Sequence, residues 1–538
     1  MKTNKYTTHR MLSGMWTTLT VVFLTIFTIG MLKNLGNIAF WQDEGETMQY
    51  ARTILKYGYP SVFDGRSFIL LDTGDTQYDP KYYFKYWTPY LQSYVAAIPL
   101  LFNHGIADTF LIRLPFALFA IVGAWGSWMV FYRLGYPKFA LFLYSTLLAT
   151  SVQLYLYWRQ ARHYALQFPL ALGLVYSYLN LGKRKWNILF IVSGFLFYHA
   201  YYPGFIAFYV AITIHAIIRK YLDVKYSLKP LFSCTFMLFV LNFPAYFLLH
   251  HYAQRPSSNP LFAFTDYLLE LNYFAYFKIT ALSLIIVILY FLKSEKLTNF
   301  KQILNSLLCS HKYSLILFLL IVGIVPSISS FGVQNPRYIS IVFPFAFLLA
   351  GTSWKKLVEL ISIKLSISNV GGKIIGLIIF FLLVNISHPG FPSQIKQFYG
   401  ELNNVYIGPV TGIVNTITGV EKPQQRINAA SSLRPDLLIA TNFENAALYG
   451  YMNNQLLSYF GPADKYKYGI RLPDWVIIRK DWGQEEYLRS FLEKGNYEKI
   501  KTDYCDLPYE NVYLVRTHNF KTVIDCPDSK LTLYKLIK

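Results

Sequence analysis

Apolar residues in this chain gather into long unbroken runs separated by short polar clusters. That is the pattern of repeated membrane crossings, not of amphipathic helices or alternating strands. Helices are predicted over Trp16–Leu32, Phe110–Tyr132, Phe139–Tyr157, Ala165–Leu181, Trp186–Ala200, Pro203–Ile218, Leu231–Leu249, Phe274–Phe291, Tyr313–Ser330, Ile339–Trp354 and Ile374–Ile386. Each lies near the length of about 20 residues that a hydrocarbon core requires, so the chain reads as a polytopic α-helical membrane protein of about eleven spans. Two stretches break the pattern. Residues 33–109 form a loop rich in Asp and Tyr, within which Tyr90–Phe102 is too short to cross and reads as a helix lying in the interface. From about residue 389 the runs give way to strand-like pieces, Asp436–Ala440, Trp475–Ile478 and Val512–Val515, with a helical stretch around Gln484–Leu492. The chain thus divides into a membrane module over residues 1–388 and a small α/β domain over residues 389–538.

Charge then orients the spans. The formal net charge is +21, which could suggest nucleic acid, but the cations sit in short clusters between apolar runs. Lys2, Lys5 and Arg10, then Arg133 and Lys138, Lys183 to Lys185, Arg219 and Lys220, Lys293 and Lys296, and Lys355 and Lys356 recur at every second loop. The positive-inside rule therefore puts the amino terminus in the cytoplasm and the α/β domain outside, in a plasma (inner) membrane setting. The first run resembles a signal peptide in its basic flank, but no small-residue cleavage site follows it. Cys505 and Cys526 fall in the outer domain, where a disulfide between them is chemically permitted.

The chemistry-bearing residues lie at the outer ends of these spans. Trp41-Gln42-Asp43-Glu44-Gly45-Glu46 places three carboxylates in four positions just above the first span, either as bases or metal ligands or as a solvated loop start. Arg159 and Arg162 in Trp158-Arg159-Gln160-Ala161-Arg162-His163-Tyr164, and Arg337 in Asn335-Pro336-Arg337-Tyr338, stand on the side that the positive-inside rule disfavours. Each is either a phosphate ligand or an interfacial anchor. Lys85, between Phe84 and Tyr86, is a second candidate for a phosphate contact, and His199 closes the fifth span as an interfacial residue or a ligand contact. With 45 Tyr, 43 Phe and 10 Trp around them, these groups suit an amphipathic substrate with an anionic headgroup and a sugar.

These residues resemble the GT-C superfamily of polyprenyl-phosphate-sugar glycosyltransferases, in the branch of protein O-mannosyltransferases and the bacterial lipid A aminoarabinose transferase. The likeness runs from about Met11 to Gly351. It is carried by Asp43-Glu44, Arg113-Leu114-Pro115, Ala161-Arg162-His163-Tyr164-Ala165-Leu166, Tyr198-His199 and Pro336-Arg337-Tyr338 before Pro344. The resemblance implies a GT-C-like fold and inverting transfer from a polyprenyl-phosphate sugar to an acceptor hydroxyl or amine of a lipid, glycan or protein. By it Asp43 would be the base, with Glu44 orienting the acceptor or holding Asp43. Arg162, Arg337, Lys85 and Arg159 would meet the donor phosphate, and His163, Tyr164, His199 and Tyr338 would line the substrate site. A departure is Lys85-Tyr86-Trp87-Thr88-Pro89, where many relatives carry a Pro-Pro pair. His163 and Tyr164 stand where many relatives have an acidic residue, which gives a divalent metal less support; the resemblance leaves one possible but unassigned. The competing reading is a transporter or flippase of lipid-linked sugars, which predicts polar groups along the spans; here they concentrate at one rim.

Overall fold

The computed structural model describes residues 2–68, 78–79, 81–86, 88–223, 225–251, 285, 340–364, 366–387, 408–420, 427–428, 430–443, 445–457, 471–479, 485–506 and 530–538. Each expected span within them is helical. Helices α1 (Lys2–Leu32), α4 (Thr109–Arg133), α5 (Lys138–Thr150), α6 (Val152–Trp158), α7 (Tyr164–Leu179), α8 (Arg184–Leu222), α9 (Lys229–Leu248), α10 (Phe343–Lys364) and α11 (Asn369–Ser387) build a bundle. The expected spans at 274–291 and 313–330 lie outside the described residues. Five of the described helices are long and apolar enough to cross a membrane, and shorter apolar helices accompany them. One expected boundary moves and one holds: the third span is broken at Ser151, whereas within α8 the expected fifth and sixth spans part at the extended residue Tyr201 (φ −163°, ψ 89°), ahead of Pro203. A proline cannot donate to the preceding turn, so the bend falls where the sequence expects two helices to part.

The bundle is a membrane protein by its surface as well as its core. Phe232, Phe236 and Phe239 of α9 are each 60% or more exposed, an apolar face that water would not tolerate and lipid covers. Since lipid is as apolar as the core, interhelical contact rests on packing and polar pairs. Trp16 of α1 sits against Phe139 and Phe142 of α5 (ring centroids 4.9 and 5.1 Å). Trp125 of α4 donates to Thr28 Oγ1 of α1 at 3.1 Å.

Among the described residues, two helices lie in the 33–109 segment. The expected short one is α3 (Leu91–Phe102), which buries Gln92, Val95, Ala96 and Leu100 and exposes Ile98, Leu101 and Phe102. The other, α2 (Gln42–Tyr57), is not foreshadowed by the apolar pattern. Its polar residues Gln42, Asp43, Glu44, Glu46 and Gln49 are buried, so the usual apolar stripe is missing. Acidic Asp43 and Glu44 in the first turn suit the positive end of the helix dipole. Gly58, at φ 82°, ends the helix in a left-handed cap whose N–H returns to Ile54 O.

After α12 (Pro409–Thr418), the carboxy-terminal residues form a mixed sheet with α13 (Asn445–Met452) and α14 (Glu485–Lys494). Strands β1 (Leu438–Thr441), β2 (Gln455–Leu457), β3 (Trp475–Ile477), β4 (Tyr497–Cys505) and β5 (Lys530–Leu536) take the order β2-β1-β3-β5-β4. β1 is parallel to β2 and β3, and β5 is antiparallel to β3 and β4. The first two expected strands and the expected helix are thus in place; Val512–Val515 lies outside the described residues. Fully buried Arg479 is neutralised by Asp506 at 2.6 Å. Cys505 is disulfide-bonded; Cys526 lies outside the described residues.

Candidate functional site

The site grows from the first turn of α2. Glu44 is fully buried and takes two guanidinium N–H groups from Arg113 of α4, at 2.8 Å on Oε1 and 2.5 Å on Oε2. Its Oε1 also accepts the Ala161 N–H at 2.7 Å, and Oε2 the Trp41 N–H at 3.4 Å. Arg113 further donates to the carbonyls of Leu35, Ile38 and Ala39 and lies over the Phe40 ring. A planar guanidinium with five donors can hold a carboxylate and a bend of backbone together, which an ammonium cannot. One buried pair therefore joins three chain segments: the 33–41 turn, α4 and the α6–α7 connection.

That connection delivers Arg162 to the cluster. With Ala161 pinned on Glu44, the Arg162 guanidinium meets Asp43 Oδ2 at 3.3 Å, the Asp43 carbonyl at 3.1 Å and Glu46 Oε2 at 3.7 Å. Lys85 closes the other side, its Nζ 2.8 Å from Glu46 Oε1. It is held there through its carbonyl, which accepts from Tyr90 OH at 2.6 Å, and through a β-bridge with Tyr78. Tyr50, one helical turn after Glu46, donates to Glu46 Oε1 at 3.1 Å. Burial by itself would raise the Glu46 carboxyl, but Lys85 and Arg162 beside it hold it below its ordinary range. Burial, then the Glu46 charge, raises the Tyr50 hydroxyl well above the usual tyrosine range, so it stays a donor.

Three of the residues singled out in the sequence, Asp43, Arg162 and Lys85, therefore share one cluster. Others stand elsewhere. Arg159 donates to the Lys33 carbonyl at 2.7 Å, where a cation complements the carboxy-terminal end of α1. His163 is buried; its backbone N–H donates to Gln92 Oε1 at 2.7 Å and its ring stacks on Tyr201 at the α8 kink (5.0 Å). Tyr164 is fully buried beside Tyr157. His199 packs against Phe195 and Tyr198. Near it, His251 is stacked on Tyr202 at 3.9 Å and bonded to Tyr198 OH at 2.7 Å, and His250 stacks on Tyr86, next to Lys85. Arg337 and Tyr338 lie outside the described residues. Among the described residues, no three His, Cys, Asp or Glu side chains stand close enough to share a metal ion; Asp43 and Glu46 are bridged by Arg162.

Helix α13 covers the far side of α2. The Gln42 side chain donates to Asn445 Oδ1 and accepts the Ala446 N–H at 3.1 Å, so the neighbour of Asp43 caps a helix of the carboxy-terminal domain. Arg52 donates to the Tyr449 and Gly450 carbonyls at that helix's other end, and Tyr449 OH donates to Asp64.

The fold built this way has a known counterpart. No family model matches the sequence, and no curated protein matches it significantly. Among solved structures, ArnT from Cupriavidus metallidurans, determined bound to undecaprenyl phosphate, is similar over 96% of this chain and 97% of its own, with a TM-score of 0.52 and 15% identity. The chain has the fold of ArnT. The likeness spans both the helical module and the carboxy-terminal sheet.

Glu46, Tyr50, Arg113, Gln42 and Asn445 were not singled out as site residues by the sequence reading. Glu46 belonged to the acidic run and Arg113 to the motif at the second span. Tyr50 stands four residues after Glu46, a spacing that has meaning only once the segment is helical. Nothing local marks Asn445.

Proposed function

We propose that this protein is a membrane glycosyltransferase that moves a sugar from a polyprenyl-phosphate donor to an acceptor hydroxyl or amine on the extracytoplasmic side, with inversion. The observation that carries this reading is the Asp43 carboxylate 3.3 Å from the Arg162 guanidinium, with Lys85 joined to the same cluster through Glu46. A carboxylate next to a pair of cations is what attack at an anomeric carbon bearing a phosphate requires. Asp43 takes the acceptor proton as the new glycosidic bond forms. The phosphate leaves with the electrons of the broken bond and is a weak base, so it needs cations and not a general acid. Arg162 and Lys85 serve as those cations, and Arg337 is assigned with them from its motif. A polyprenyl-phosphate partner is supported by the undecaprenyl phosphate bound to ArnT.

Glu44 is read as an anchor. Its oxygens are occupied by Arg113, Ala161 and Trp41, so it holds the turn that presents Asp43 and stays off the substrate. His163, Tyr164 and His199 are read as an aromatic wall behind the cluster, and Arg159 as a cap on α1.

The test is release of free polyprenyl phosphate from undecaprenyl-phosphate sugars in the presence of acceptor. Asp43→Asn is expected to lower turnover by about 10²–10⁴-fold while undecaprenyl phosphate still binds. Full turnover by Asp43→Asn would remove Asp43 as the base.

A further inference from the structure

Glu46 bridges the two cations assigned to the donor phosphate. Its Oε1 lies 2.8 Å from Lys85 Nζ, its Oε2 lies 3.7 Å from Arg162 Nη1, and Tyr50 OH donates to Oε1 at 3.1 Å. Lys85 and Arg162 come from segments far apart in sequence, one from the loop before α3 and the other from the α6–α7 connection. One carboxylate nevertheless reaches both, so the two cations are spaced to share a single small anion. A carboxylate and a phosphate offer such donors the same thing, a pair of oxygens that share negative charge.

We propose that Glu46 is an internal stand-in for the substrate phosphate, paired with the same two cations and competing with it for them. This rests on the assignment of Lys85 and Arg162 to the phosphate. Two buried cations would be costly without counter-charge; Asp43 supplies it to Arg162, and Glu46 to Lys85 and Arg162 both. When a polyprenyl phosphate arrives, Lys85 and Arg162 turn to its oxygens, and Tyr50 keeps one hydrogen bond on the displaced carboxylate. The competition matters most for the product. A phosphodiester donor carries one negative charge, whereas the free polyprenyl phosphate approaches two, so the same cations hold product more tightly than donor. A returning carboxylate offsets that difference and speeds release.

The experiment is equilibrium binding of undecaprenyl phosphate to the full chain in detergent micelles, for the wild type, Glu46→Gln, Tyr50→Phe, Lys85→Ala and Arg162→Ala, with thermal unfolding to establish that each is folded. Glu46→Gln keeps the shape and removes the competing charge, so binding is expected to tighten by about tenfold. Tyr50 shares Glu46 Oε1 with Lys85, so Tyr50→Phe leaves the charge of that oxygen wholly to Lys85 and phosphate binding is expected to weaken. Lys85→Ala and Arg162→Ala are expected to weaken it as well. If Lys85→Ala and Arg162→Ala weaken binding but Glu46→Gln leaves it unchanged or weakens it, Glu46 is only a brace and the stand-in role is overturned. If neither cation variant changes binding, the phosphate assignment fails and the stand-in falls with it. Should Glu46→Gln not fold, the sign of the Tyr50→Phe effect decides.

Discussion

Gly45 of α2 and Ala446 of α13 meet backbone to backbone: a Cβ at Gly45 would overlap the Ala446 carbonyl and the Ala447 nitrogen. The glycine sits between Glu44 and Glu46, so the helix that carries the acidic cluster presses directly on the carboxy-terminal domain. A backbone obstacle cannot rotate aside as a side chain can. Gly45→Ala is expected to destabilise the protein by about 1–3 kcal/mol and to reduce the proposed transferase activity. Thermal unfolding in detergent together with the release assay reads both; a variant as stable and active as the wild type would show that the two helices need not touch.

Arg113 holds Glu44 and three carbonyls of the preceding turn in one guanidinium. Arg113→Ala leaves a buried carboxylate without its counter-charge, a loss of about 3–5 kcal/mol. Arg113→Lys restores the charge but not the fork, so its unfolding temperature is expected between those of Arg113→Ala and the wild type. Equal unfolding temperatures for Arg113→Ala and the wild type would refute the anchoring role.

Tyr451 of α13 accepts the Phe40 N–H at 2.8 Å, shares a hydrogen bond with Thr109 and stacks on Phe40. Tyr451→Phe keeps the stack and leaves a buried N–H without its acceptor. The expected cost is about 1–3 kcal/mol, read as a fall in unfolding temperature that Tyr451→Ala exceeds.

His251 provides a pH dependence with a definite sign. Burial first, and then His199, push it from 6.5 down to about 4. The unfolded chain therefore binds a proton between these values that the folded chain does not. The stability linked to His251 is complete above about pH 6.5 and declines toward pH 4, by at most about 3 kcal/mol. His251→Gln does not titrate, and its unfolding temperature is expected to vary less over that range than the wild type's. The same slope in both would assign the titration to another group.

How far the sequence reaches can be judged from particular residues. The described spans were legible because a run of apolar residues is a local property, set by the bilayer as solvent. Asp43 is legible as part of an acidic run, Arg162 as a cation where topology disfavours one, and Lys85 as a cation among aromatic residues. Helix α2 was not. Its buried face is polar and is satisfied by Arg113, Arg162, Lys85 and Asn445, none of them its neighbours in sequence, so no period within the segment could reveal it.

The sequence by itself determined the membrane-spanning character, the change to a mixed α/β domain and the residues that could carry charge chemistry, since each depends on composition within a short window. Only the tertiary structure decided which charges meet. It set Glu44 on Arg113, Glu46 between Lys85 and Arg162, and Gly45 against Ala446. Pairings of this kind are settled by buried charges seeking their nearest opposite across segments that only folding brings together.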